Sequence, residues 1–298
     1  MTDAVHPAHD QDIPAFWRSL GLPGLADIHV HFLPDAMQQK VWSYFDDAEQ
    51  NYGRPWPIRY RWPVEERLEF LRGIGVRRIP ALTYPHKPGM AAWLNQWNAE
   101  LAAAYPEVIH CGTFYPEPEA AGYVGEALAS GARLFKTHVQ VGEYDPADAW
   151  LTPVWDQLER AQVPVVAHAG SAPLKGTYTG TERIRRVLAD HPRLVLVIAH
   201  MGMPEYHGFA DIAEEYENVH LDTTIVFTEL AEYFAPVPED YIGRLGALKK
   251  KIVLGTDFPT IPHTYAEQLR VLRALDLGDD WLRHVLWHNG ARLLGLDE

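Results

Sequence analysis

The chain has 298 residues, 47% of them hydrophobic, with 26 Lys and Arg against 40 Asp and Glu for a net charge of −14. That length and apolar content suit one large α/β domain or two smaller ones and exclude a disordered body. The acidic balance makes nucleic acid and anionic membrane surfaces poor partners, and the single cysteine, Cys111, excludes an intramolecular disulfide or a Cys-rich zinc module.

Residues 1–23 read as an N-terminal arm with a short helical piece around Phe16-Trp17, and residues 24–298 as the main domain. The arm has no basic segment leading into an apolar run, as a secretory signal would. No stretch of the chain approaches about 18 consecutive apolar residues. The expectation is a cytoplasmic protein with no membrane span.

The first strand is expected over residues 25–30, and it ends in Asp27-Ile28-His29-Val30-His31. Alternate residues of a strand share a face, with Cα atoms about 6.6 Å apart. His29 and His31 can therefore close on one metal ion, with Zn–N bonds of about 2.0–2.1 Å. Residues 33–62 are rich in Trp, Tyr, Pro and charge and too long for a plain loop. They read as an insertion after the first strand, a lid over the mouth of the fold.

Val64, Leu68 and Leu71 have the i, i+4, i+7 spacing of a helix face, with Pro63 as its first residue and Gly73 and Gly75 at its end. A strand follows at 76–82, then a helix whose inward face is read as Met90, Leu94, Trp97 and Leu101, with Trp93 also buried. Strands are expected at 108–114 and 132–139, and Thr152-Pro153 opens a helix with Val154, Leu158 and Ala161 inward. After a strand at 163–167, Thr179 and Glu182 have the spacing of a capping box before the helix from Ile184 to Leu188. Strands at 194–199, 219–221 and 252–254 and a last helix over 281–294 complete the pattern.

Eight short apolar runs alternating with helices argue for a single (β/α)8 TIM barrel, an α/β fold whose strands are buried on both faces. The alternative, a doubly wound sheet, would favour a G-x-G-x-x-G turn after the first strand, where this chain has His-Val-His.

The strand ends carry the chemistry. The first ends at His29 and His31, the fifth at His168, the sixth at His200 and the eighth at Asp257, while the fourth sets Leu134, Lys136 and His138 on one face. Polar residues at the C-terminal ends of barrel strands converge on one rim. Three histidines and a carboxylate suit a divalent ion such as Zn²⁺, with water completing the shell. Tyr84, His86, Tyr115 and His138 fall at or just beyond strand ends and read as lining a substrate pocket.

The segments Asp27-Ile28-His29-Val30-His31, Ala167-His168-Ala169-Gly170, Ala199-His200-Met201-Gly202, Val219-His220-Leu221-Asp222-Thr223-Thr224, Gly255-Thr256-Asp257-Phe258-Pro259 and Asn289-Gly290-Ala291-Arg292-Leu293-Leu294 together resemble the amidohydrolase superfamily. Within it the closer likeness is to the amidohydrolase-2 branch, which includes aminocarboxymuconate-semialdehyde decarboxylase. The resemblance implies a metal-dependent hydrolase or non-oxidative decarboxylase of a small carboxylate-bearing substrate, working by a metal-activated water or a metal-polarised substrate. By matched motif, His29, His31, His168 and Asp257 would be the ligands of one Zn²⁺. His200 would be a general base or water-orienting residue, and Asp257 a proton shuttle as well as a ligand.

Binuclear relatives carboxylate a strand-four lysine, so Lys136 and His138 leave open a second ion or a substrate contact. Gly290 stands where relatives more often have alanine. The resemblance also implies a homodimer. Two other readings are a metal-independent lactonase on the same barrel and a non-catalytic binding protein.

Overall fold

The structure, a computed structural model, describes residues 6–296, so the first five residues of the expected arm and the last two of the domain lie outside it. Its contacts divide the chain into two compact units, one formed by residues up to 79 and from 223 onward, the other by residues 80–222. Eight short strands are described: β1 Ile79–Pro80, β2 Val108–Ile109, β3 Cys111–Thr113, β4 Leu134–His138, β5 Val165–His168, β6 Leu196–Ile198, β7 Val219–Asp222 and β8 Ile252–Val253. No helix among the described residues is long and apolar enough to cross a membrane.

In the unit of residues 80–222, β3 to β7 pair in chain order and in parallel, with Thr113 opposite Lys136, His138 opposite His168 and Ile198 opposite Leu221. Helices Ala120–Ala129, Thr152–Ala161, Thr181–Asp190 and Tyr206–Glu215 connect them. Both faces of β5 and β6 are buried, which explains why Val165-Val166-Ala167 and Leu196-Val197-Ile198 read as continuous apolar runs rather than as an alternation.

Four local expectations change in this unit, and the first is that Ala161, read as inward with Val154 and Leu158, is exposed. The single strand expected over 108–114 breaks at His110 into β2 and β3. The break comes where the Cys111 N–H bonds the side chain of Asn98, at 2.8 Å, instead of a neighbouring strand. Helix Ala91–Ala104 turns Asn95 and Asn98 inward beside Leu94 and Leu101, leaving Trp93 48% exposed and Trp97 half-buried. Two amides take the place of two indoles because the strand edge offers backbone groups that only a polar side chain can satisfy. Asn95 bonds both N–H and C=O of Thr113, and Asn98 spans Ala81 O and Cys111 N. The capping box also fails. Gly180 is the N-cap of helix Thr181–Asp190, and Thr179 Oγ1 instead bonds Gly176 and Ser171.

Asn98→Leu conserves volume but orphans one buried acceptor and one buried donor. It should cost about 2–4 kcal/mol, read as a lowered urea midpoint with an unchanged m-value.

In the other unit the segment around residues 25–31 is buried and extended, yet it forms isolated bridges rather than a regular strand. Its amides bond Gly75 O, Leu286 O, Leu254 O and Phe258 O in turn. The His29 N–H instead bonds the Asp27 carboxylate, at 3.0 Å. That side chain competes with the ladder and breaks it two residues before His31. Gly290 lets the final helix sit directly on this segment, because a Cβ there would lie 2.5 Å from Ala26 O. Alanine at this position would require the two to separate.

The described part of the N-terminal arm is fastened down at Asp10 and Trp17. Trp17 Nε1 donates to Ile74 O at 2.9 Å, and Asp10 accepts from Tyr60 Oη at 2.7 Å and from Ala266 N at 2.8 Å. Residues 33–62 fold as helices Asp35–Asp46 and Ala48–Tyr52. Their extended tail is held by Trp56 Nε1 to Thr260 O and Arg59 N to Ile261 O. The last helix runs as Asp279–Arg283, a π-helical turn His284–His288, and Asn289–Leu294.

Burial pushes the Tyr60, Tyr144 and Tyr265 hydroxyls well above the ordinary tyrosine range, with Asp10 adding to the first and Asp27 to the last. Above about pH 10 the unfolded chain releases these protons and the folded chain keeps them, so stability falls as pH rises. Each contributes roughly 1.4 kcal/mol per pH unit. Alkaline titration should show phenolate absorbance and loss of structure rising together for these residues. Full phenolate absorbance from a still-folded chain would contradict it.

Candidate metal centre

Each member of the centre is placed by the strand-like segment that ends in it. His29 Nε2 and His31 Nε2 lie 3.1 Å apart, as side chains two residues apart on an extended backbone should. Asp257 follows the segment that continues β8, and its Oδ1 lies 3.0 Å from His31 Nε2 and 3.5 Å from His29 Nε2. Among the described residues these three form the one group of three or more His, Cys, Asp or Glu placed to share an ion.

Their surroundings hold them there. His29 is fully buried and His31 is 6% exposed. The Asp257 N–H donates to His29 O at 2.9 Å, and Asp257 adopts φ 66°, a left-handed conformation a non-glycine residue holds only when its surroundings enforce it. Thr224 Oγ1 lies 3.0 Å from His29 Nδ1. An Nδ1–H given to that hydroxyl leaves the Nε2 lone pair facing His31 and Asp257, the arrangement typical of a ligating histidine. Two buried imidazole nitrogens and the oxygen of a part-buried carboxylate crowd together, and a divalent cation is what this donor set fits.

Asp27 lies beneath the centre and is fully buried. Its carboxylate accepts from His29 N at 3.0 Å, Thr256 Oγ1 at 2.6 Å and Tyr265 Oη at 2.8 Å. Asp27 and Thr224 fall inside the motifs that carry the resemblance, yet local pattern assigns neither of them a task. The cue available for Asp27 was its position two residues before His29, on the same face.

The remaining expected site residues lie in the unit of residues 80–222, where they form a cluster of rings. His138 and His168 stack at 4.0 Å between centroids with planes 14° apart, and His168 meets His200 edge-on at 4.6 Å. Tyr84 lies 4.9 Å from His138, His86 is exposed, and Tyr115 Oη donates to Gly142 O at 3.0 Å. Lys136 is 1% exposed, in the strand register between Thr113 and Val166.

His200 and Met201 both have left-handed backbone, at φ 55° and 51°. The buried Asp222 anchors this turn by accepting the His200 N–H at 2.8 Å. Gly202 completes it at φ +73°, where any Cβ would run into the Phe209 ring. A clamp ties the loops that follow His168 and His200. Ser171 N and Oγ both donate to the Glu205 carboxylate, and Ala172 N donates to Met203 O.

Residues 26–296 match the family model described as amidohydrolase. No curated protein matches the chain. Among solved structures, an uncharacterized TIM-barrel protein from Bordetella bronchiseptica is 22% identical with a TM-score of 0.72, over 91% of this chain and 98% of that one. A "probable 2-pyrone-4,6-dicarboxylic acid hydrolase" from Acinetobacter baumannii is 14% identical with a TM-score of 0.62, over 91% and 99%. A 5-carboxyvanillate decarboxylase from Novosphingobium aromaticivorans, complexed with manganese and a nitrobenzoic acid, is 16% identical with a TM-score of 0.59, over 93% and 97%. The fold is the α/β TIM barrel expected from the alternation of strands and helices.

Proposed function

The chain belongs to the amidohydrolase family, and from that premise we propose that it is a metal-dependent enzyme of the aminocarboxymuconate-semialdehyde decarboxylase-like branch. Its substrate is a small carboxylate-bearing organic molecule, cleaved at a carbonyl or carboxyl carbon by hydrolysis or by non-oxidative decarboxylation. The observation that carries this reading is the meeting of His29 Nε2, His31 Nε2 and Asp257 Oδ1, no two of them more than 3.5 Å apart. Likeness to a manganese-complexed decarboxylase and to a hydrolase of the same fold supports it.

His29, His31 and Asp257 hold the ion, with Zn²⁺ suited to their nitrogen and oxygen donors. By its motif His168 is a further ligand. When bound, the ion supplies Lewis acidity, drawing the pKa of water from 15.7 toward about 7 and polarising a substrate oxygen. His200 accepts or orients a proton, its position fixed by the bond from its own backbone to Asp222. Asp257 passes a proton on. Lys136 and His138 serve a second ion or the substrate, and Tyr84, His86 and Tyr115 line the pocket, with residues 33–62 as its lid. The same resemblance supports a cytoplasmic homodimer.

Metal-loaded protein incubated with aromatic acids and lactones, with CO₂ release and acid release followed separately, tests the reading. Turnover that vanishes on chelation and returns with the ion supports it, and the product released selects between the two reactions. Turnover unaffected by chelation, in protein containing no metal, establishes metal-independent lactone hydrolysis instead.

A further inference from the structure

Helix Asp35–Asp46 buries two of its side chains, Gln38 and Trp42, which are 2% and 7% exposed. Both belong to a cluster around the guanidinium of Arg67, on helix Val64–Ile74, which is 1% exposed. Arg67 Nη1 donates to Gln38 Oε1 at 3.0 Å. Its Cζ lies 4.8 Å from the ring centroid of Phe32 and 6.0 Å from that of Trp42.

Three N–H groups in this cluster have no acceptor among the described residues: Arg67 Nε, Gln38 Nε2 and Trp42 Nε1. The carboxylates that act on Arg67, Asp35 and Glu65, do so through space from exposed positions. Burial lowers the Arg67 pKa from the usual arginine value to about 10, leaving the group charged at neutral pH. The rings offset part of the cost of that buried charge, but they accept none of the three hydrogen bonds.

The imbalance has one sign, since every unmet group is a donor and the charge is positive. Water would bring donors with its acceptors and no charge, whereas a carboxylate brings acceptors alone and a negative charge in a planar shape suited to guanidinium. We propose that Arg67, Gln38 and Trp42 form a buried binding site for a small carboxylate, and that its occupation fastens helix Asp35–Asp46 to helix Val64–Ile74. No residue of the metal centre takes part, so the site stands or falls separately from the proposed reaction.

Thermal melting in increasing sodium formate, with sodium chloride keeping ionic strength constant, tests it on the full chain. The wild type should show a saturable rise in Tm of about 2–4 °C. Gln38→Glu places a carboxylate beside Arg67, so it should melt higher without formate and lose the response. Arg67→Lys keeps the charge without the fork and should raise the half-saturating formate concentration at least tenfold. His31→Ala should respond like the wild type, which separates this site from formate bound at the metal. A flat wild-type curve, an equal response to chloride alone, an undiminished response in Gln38→Glu or a response abolished by His31→Ala would each overturn the proposal. Wild-type protein that binds no metal but keeps the formate response would refute the proposed function and leave this inference standing.

Discussion

Replacing His31 with alanine should reduce bound metal from about one equivalent to below about a tenth after dialysis, with the fold intact. Of the imidazoles of His29 and His31, that of His31 lies nearer the Asp257 carboxylate, 3.0 Å against 3.5 Å, so the substitution removes the nearer of the pair. Loss of an outer partner of a ligand already costs about 10–100-fold in affinity, and loss of a ligand should cost at least the upper end of that range. Thr224→Val supplies the graded comparison. It removes the hydroxyl at His29 Nδ1 but no ligand, so its affinity should fall about 10-fold.

Thermal melting with and without chelator gives an independent reading of the same claim. The metal-free wild type keeps two ring nitrogens and a carboxylate pressed together, so chelation should lower its Tm. His31→Ala has lost that crowding along with the site, and its Tm should not respond to chelator. Equal metal content in wild type and His31→Ala, or a wild-type Tm indifferent to chelator, would remove the basis for a metal centre here.

The parts of this centre that were legible in the sequence share one property. His29, His31 and Asp257 are ionisable groups at the ends of apolar runs, where a structural reason for them is hard to find. The same contrast marked His168 and His200. Asp27 and Thr224 were less legible, because their work is to bond other side chains, and the identity of a partner about 200 residues away leaves no trace in local pattern. The expected first strand shows the same limit. Its apolar run is real, but the Asp27 side chain takes the amide that a regular ladder would use.

Helix faces misled for a related reason. Periodicity favoured Trp93 and Trp97 as inward residues, yet the bonds of Asn95 and Asn98 to Thr113, Ala81 and Cys111 decide how that helix is turned. Backbone groups at a strand edge can outweigh indole burial, because leaving them unmet in the interior costs about 1–3 kcal/mol each. The capping residue fell to the same competition, since Thr179 had nearer partners in Gly176 and Ser171.

Asp27→Ala should be the most damaging single change near the centre, costing about 3–5 kcal/mol of stability in the absence of metal. It strands three buried donors: His29 N, Thr256 Oγ1 and Tyr265 Oη. Thr256 Oγ1 in turn accepts the Phe258 N–H at 3.3 Å, so Asp27 braces residues on both sides of Asp257 and helps impose its φ of 66°. Asp27→Asn nearly preserves shape, but with its oxygen on the His29 N–H its NH₂ faces the two hydroxyls, which must then turn to accept and leave their own hydrogens in need of other acceptors. It should therefore rescue only part of the loss. Urea unfolding in chelator measures the fold term alone, and metal titration of the folded variants then measures what the brace does for the ligands, expected as about a 10–100-fold loss of affinity. Variants within about 0.5 kcal/mol of wild type in chelator would mean that the three donors find other acceptors. In that case the left-handed turn at Asp257 would have to be held by the Asp257 N–H to His29 O bond, which unites the two ligand-bearing segments without help from below.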